Sequence, residues 1–211
     1  MARRRERRTD RSKIDATPPW ETRIRPEVDT TTGPYDIRDE PEDDIERIDL
    51  GALKIPVGPG YDLRLEVNEA QQVVAATVAS PHGTMQLGVY AAPRNEPIWD
   101  DVRQEIAESL RESRGAPKDR AAGPFGTELL GSLSDENNRP VPVRFIGIDG
   151  PRWFLRAMLA GPLAADAALA EPFMDLLRKV VVVRGSEPLP VRDPVPLRLP
   201  HGVELPAPPG A

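Results

Sequence analysis

The chain has 211 residues, a net charge of −6, 39% hydrophobic and 29% charged residues, 25 Pro, 16 Gly and no Cys. No apolar run approaches the ~20 residues that span a bilayer, and without cysteine there is no disulfide, thiolate metal site or cysteine nucleophile. The acidic balance argues against a duplex-binding polycation, and so much proline and glycine fits one core with extended ends better than a chain compact throughout.

The chain opens on two opposed charge blocks, Arg3, Arg4, Arg5, Arg7, Arg8, Arg11 and Lys13, then Asp36, Asp39, Glu40, Glu42, Asp43, Asp44, Glu46 and Asp49. Neither shows apolar periodicity, so a disordered charged tail is expected over residues 1–48. The basic block reads as a solubilising end or as a tether to nucleic acid or anionic lipid. Tyr35 is an isolated aromatic that could dock back onto the domain. The basic start is not followed by the apolar segment of a secretory signal, which points to the cytoplasm.

A core domain is expected over 49–185. Ile48, Leu50, Leu53, Ile55 and Val57 lead to a turn at Pro59-Gly60, after which Leu63, Leu65 and Val67 alternate with Asp62, Arg64 and Glu66, the period of a half-buried strand. Val73–Val78 and Thr84–Ala91 read as further strands, divided by a polar turn that holds His82. Such short connections make these strands antiparallel neighbours. Trp99, Val102, Ile106 and Leu110 then recur at helical spacing, with Pro97 suited to the first turn, Asp100 and Asp101 near the positive end, and Gly115 and Pro117 as stops. This predicts an amphipathic helix of roughly four to five turns laid on a sheet.

Gly126–Leu133 reads as a strand and Ser134–Arg139 as a polar turn. Val141–Ala160 is the densest aromatic cluster, two strands meeting at Asp149-Gly150-Pro151. With those three residues in the loop, Val143, Phe145, Trp153, Leu155, Ala157 and Leu159 share the core face, and Gly147 leaves room for the Trp153 indole. The other face then carries Arg144, Arg152 and Arg156 around Ile146, Ile148 and Phe154. A second helix follows from the stripe Phe173, Leu176, Leu177 and Val180, with Pro172 in its first turn; Ala164–Ala170 reads as a preceding turn or a kinked extension. Val180–Val183 reads as a buried helix edge or a final strand. The prolines beyond Gly185 make 186–211 an extended, sheet-incompatible arm whose Val191, Val195, Leu197 and Leu199 could lie along the domain. The expected class is α+β, a mainly antiparallel sheet with two packed helices in the order strands, helix, strands, helix.

The pieces Gly33-Pro-Tyr-Asp36, Arg47-Ile-Asp-Leu-Gly-Ala-Leu-Lys-Ile-Pro56, Ile98-Trp-Asp-Asp-Val-Arg-Gln-Glu-Ile106, Val143-Arg-Phe-Ile-Gly-Ile-Asp-Gly-Pro-Arg-Trp-Phe-Leu-Arg156 and Val181-Val-Val-Arg-Gly185 resemble an actinobacterial family described as a domain of unknown function, over roughly residues 33–200. The resemblance implies an actinobacterial, cytoplasmic protein and supplies no activity. The order of elements is more loosely similar to the Mog1/PsbP-like fold, whose members mostly bind or chaperone proteins.

Chemistry offers less. The two histidines are His82, in a turn, and His201, in the proline-rich arm. Gly58-Pro59-Gly60 lacks the Lys and Ser or Thr of a phosphate loop, and the acidic residues have no calcium-loop spacing, so no cofactor, metal or catalytic residue is expected. What remains is the arginine face. Arg144, Arg152 and Arg156 with Phe154 as a stacking platform could hold an anion or a partner. Alternatively, their stems cover apolar surface while their heads pair with carboxylates such as Glu105 or Glu128, the more ordinary arrangement in small α+β domains. The leading functional expectation is a non-enzymatic interaction module for a protein partner; the second is nucleic-acid or nucleotide binding through Arg3–Lys13 together with Arg144, Arg152 and Arg156.

Overall fold

A computed structural model describes residues 32–56, 58–68 and 72–200; the basic block of residues 3–13, His201 and the last prolines lie outside the described residues. In chain order the elements are β1 (Tyr35–Asp36), a 3-10 turn (Ile37–Asp39), β2 (Arg47–Asp49), β3 (Leu53–Pro56), β4 (Asp62–Val67), β5 (Val73–Ser80), β6 (Gly83–Ala91) and α1 (Trp99–Glu112). There follow β7 (Lys118–Gly123), β8 (Gly126–Ser134), β9 (Pro140–Gly150), β10 (Trp153–Ala160), α2 (Pro162–Ala165), α3 (Ala167–Arg178) and β11 (Val181–Val182). The class is α+β, as the periodicities predict.

Seven strands form one antiparallel sheet in the order β4-β5-β6-β10-β9-β8-β7. Four short ones form a second sheet, β1-β11-β3-β2, in which β1 and β11 run parallel. The acidic segment therefore starts inside the fold, and the boundary expected at residue 48 moves to before Tyr35. Nothing in Tyr35-Asp36 reads as a strand because its partner, the apolar Val181-Val182, arrives from the far side of the domain's sequence. The arm lies along the domain through Val195 and Leu197, as expected, but it is not sheet-incompatible. Val195 donates to the Val89 carbonyl at 2.8 Å and Leu197 to the Val73 carbonyl at 2.9 Å, so part of the proline-rich segment fills a gap beside β5 and β6. Prolines interrupt a ladder only where an N–H is needed, and here Val195 and Leu197 alternate with them to supply it.

The hairpin forms, but in another register. Gly150 pairs with Trp153, leaving Pro151 and Arg152 as the turn, and Arg152 takes the left-handed conformation at φ 65°. Pro at the first corner followed by a positive φ is the pattern of a type II turn, with arginine where glycine is usual. The pairing shifts by an odd number of residues, and with a side-chain period of two every residue of β9 changes face relative to β10. Trp153, Leu155, Ala157 and Leu159 thus share a face with Ile146 and Ile148, and join the main core with Leu163, Phe173, Met174, Leu177 and residues of the small sheet. On the opposite face Val143, Phe145 and Phe154 pack with Trp99, Ala107, Leu110 and Leu129 under α1. Both faces of the hairpin are core, each under its own helix.

Two glycines make this possible. A Cβ on Gly147 would stand 2.2 Å from the Trp99 ring, and one on Gly150 would stand 1.9 Å from the Trp153 ring. Gly147 therefore makes room for Trp99 rather than for Trp153. The helix ends follow similar logic. Asp149, on β9, accepts from the Ile98 and Trp99 amides at 2.8 and 3.2 Å, capping α1 from the sheet, so Pro97 precedes the cap instead of lying in the first turn. Asp166 caps α3 through the Ala168 and Leu169 amides, and the alanines that follow propagate the helix well. As a result Pro172 sits inside α3 and not in its first turn.

Candidate functional site

The four residues singled out from sequence do not converge. Arg144 lies on the α3 side of the sheet, 3% exposed, and makes a bidentate pair with the fully buried Glu128 at 2.6 and 2.8 Å. Glu128 is one of the two carboxylates that the sequence offered as a partner. Burial closes this guanidinium off from solvent and Glu128 balances its charge, so Arg144 is part of the core. Arg152 forms the hairpin turn, and its carbonyl accepts from the Ala92 amide and from Arg184 Nε. Burial pushes the Arg184 guanidinium below the usual arginine range, with the nearby Arg152 charge acting in the same direction and Glu187 against it. The face holding all three arginines, expected from sequence, is not formed, because the two-residue turn reverses the side on which Arg144 projects.

Phe154 and Arg156 do meet, on the α1 side. Phe154 is 2% exposed, stacked on Trp99 with ring centroids 5.9 Å apart and tilted against Tyr90 at 6.2 Å. The half-buried Arg156 holds its guanidinium 5.1 Å from the Tyr90 centroid, a cation–π contact. No carboxylate among the described residues lies within ion-pair range of it. Together with Ile98 and Val102 of α1, these side chains line a cavity of about 150 Å³ whose rim is completed by Glu105 and Arg192, paired at 2.5 Å. Tyr90, Glu105 and Arg192 were not singled out from sequence as site residues. Tyr90 sits on the even-numbered face of β6, which turns away from the main core, and Arg192 is carried in by the arm, whose φ of 73° at that residue no sequence pattern announces.

Beside this cavity no helix among the described residues covers the same face of the sheet. The helix α1 packs on β8 and β9, while Thr77, Gln86, Met158 and Arg156, farther across, are only half-buried. The exposed Glu66 of β4 accepts from Thr77 Oγ1 at 2.5 Å and from Gln86 Nε2 at 2.6 Å, a polar cross-strand row. His82 is exposed in its turn, and its carbonyl accepts from the Leu163 amide. Among the described residues no helix is long and apolar enough to cross a membrane.

Other parts of the quoted sequence pieces serve the fold. Asp36 accepts from the Trp153 indole at 2.8 Å and from both the side chain and the amide of Arg38, at 2.7 and 3.1 Å. Burial alone would raise its carboxyl, but these hydrogen bonds outweigh burial and hold it below the ordinary carboxylate range. Segments far apart in sequence, residues 33–36 and the hairpin, are thus one contact in space.

A family profile described as a protein of unknown function, DUF3710, matches residues 33–205. The chain belongs to that family. No curated protein is detectably similar. Among solved structures it is similar to a variant of the protein Mog1, at 16% identity over 67% of this chain and 97% of that one, with a TM-score of 0.39. It is also similar to the cyanobacterial PsbP protein of Synechocystis sp. PCC 6803, at 11% identity over 62% and 86% of the two chains, with a TM-score of 0.37. LpqN, a protein involved in cell envelope biogenesis of Mycobacterium tuberculosis, is similar at 16% identity over 72% and 99%, with a TM-score of 0.36. With TM-scores all below 0.5, these likenesses carry nothing about activity.

Proposed function

We propose that this member of the family is a non-enzymatic interaction module, working in the cytoplasm, that holds a protein partner against the open half of its large sheet. The supporting observation is asymmetric cover. One sheet face is roofed by α2, α3 and the small sheet, whereas α1 roofs only the β8–β9 side of the other. The uncovered strip combines half-buried Tyr90, Gln86, Thr77, Met158 and Arg156 with the cavity over Phe154. Aromatic, methionine and arginine side chains on a rigid sheet are what protein interfaces are enriched in. Convergent acids, bases and nucleophiles, which turnover would need, are not what this strip presents.

Site-specific photo-crosslinking in the full chain tests the reading. A benzophenone side chain at Thr77 or at Gln86 should give a discrete adduct in cells, while the same group at Glu171, exposed on α3, should not. Equal labelling from both faces, or none from the sheet, would refute it.

A further inference from the structure

Within the interaction-module reading, on which the assignment of this pocket rests, the cavity beside Arg156 specifies more than a generic partner. At about 150 Å³ it is well below the ~300 Å³ at which small-molecule sites begin, and close to the space one benzene ring occupies. Its floor and walls, Phe154, Tyr90, Ile98 and Val102, are apolar or aromatic, so a single ring would exchange water for edge and face contacts. At its mouth stands a guanidinium that stacks on Tyr90 and makes no hydrogen bond to the described residues. The second rim arginine, Arg192, is neutralised by Glu105. Among the described residues the local balance at the mouth is therefore one uncompensated positive charge, that of Arg156. The geometry points to an anchor pocket: we propose that it seats one aromatic side chain of a partner peptide while the carboxylate of an adjacent acidic residue pairs with Arg156.

Three short capped peptides titrated into the isotope-labelled full chain, followed by amide NMR shifts, test this: acetyl-Phe-Glu-amide, acetyl-Phe-Lys-amide and acetyl-Ala-Glu-amide. The first should move resonances of Tyr90, Ile98, Val102, Phe154 and Arg156 and bind about tenfold tighter than either control, the discrimination that one charge-assisted pair or one buried ring supplies. In Arg156→Gln the preference for Glu over Lys should vanish while the preference for Phe over Ala remains. Equal affinity for all three peptides, no shift at the lining residues up to about 10 mM, or a Glu preference that survives in Arg156→Gln would each overturn the proposal. Unchanged thermal melting of Arg156→Gln shows that any loss is not unfolding. A negative result here with positive crosslinking from Thr77 and Gln86 would remove the pocket's specificity and leave the module intact; failure of both would remove the module as well.

Discussion

Arg144 and Arg156 stand on adjacent strands of one hairpin, yet they have opposite fates. Arg144 faces α3, where cover is complete, and its charge is consumed by Glu128. Arg156 faces the side that α1 covers only in part, and its charge rests on an aromatic ring at the edge of a cavity. The difference is made by neighbours rather than by the residue: where a roof excludes water, a guanidinium must be paired to be tolerated, and where the roof ends it can remain available. Charge on the roofed face therefore serves the fold, and charge on the open face is free to serve a partner.

The comparison breaks most visibly if Arg144 proves dispensable. Arg144→Ala leaves the buried Glu128 carboxylate only the longer contact to Arg120, at 3.8 Å, and should cost about 3 kcal/mol in urea unfolding, whereas replacing both partners together, Arg144→Met with Glu128→Leu, should cost much less. Of similar size are the effects at the glycines that let a ring press on each face. Gly147→Ala against Trp99 and Gly150→Ala against Trp153 should each lose about 3 kcal/mol, the upper end for overpacking, because the ring and the strand backbone cannot both give way. If Gly147→Ala is tolerated, the α1 roof is looser than described and the two faces are less distinct.

A smaller effect is expected where the N-terminal strand meets the hairpin. Trp153→Phe deletes the indole donor to Asp36 and should cost about 1–2 kcal/mol. The Asp36 carboxyl titrates lower in the folded than in the unfolded chain, so its contribution is present above the ordinary carboxylate range and is lost as pH falls through the folded value. Melting profiles from about pH 7 to about pH 3 should accordingly show a shallower acid limb in Asp36→Asn than in the unaltered chain. Smallest of all, Arg156→Gln should change stability by less than about 0.5 kcal/mol, as surface changes do, while changing binding. A large loss of stability there would make Arg156 structural like Arg144 and erase the contrast.

How far these faces were legible in the sequence depends on range. Local signals carried the strands Asp62–Val67, Val73–Ser80 and Gly83–Ala91 and the helix from Trp99, since each is written in its own periodicity. Lys118–Gly123 was invisible because an edge strand pairing only with β8 needs no apolar alternation. The hairpin was legible but its register was not: Asp149-Gly150-Pro151 offers glycine as the left-handed residue, and the chain spends that conformation on Arg152 while Asp149 goes to cap α1. That one displacement accounts for the misplacement of the arginines. Phe154 and Arg156 were found because they are neighbours on one strand; Tyr90, Glu105 and Arg192, which close the cavity with them, come from three other segments.

The pairing of β1 with β11 has a consequence for biosynthesis. Among the described residues the sheet partner of Tyr35-Asp36 is Val181-Val182, which also bridges to β3. While the chain is emerging from a ribosome, the small sheet cannot close until that late segment has cleared the exit tunnel. The acidic opening of the domain thus waits while every other named strand and helix is made, and only the arm that bonds to Val89, Val73 and Leu50 comes later.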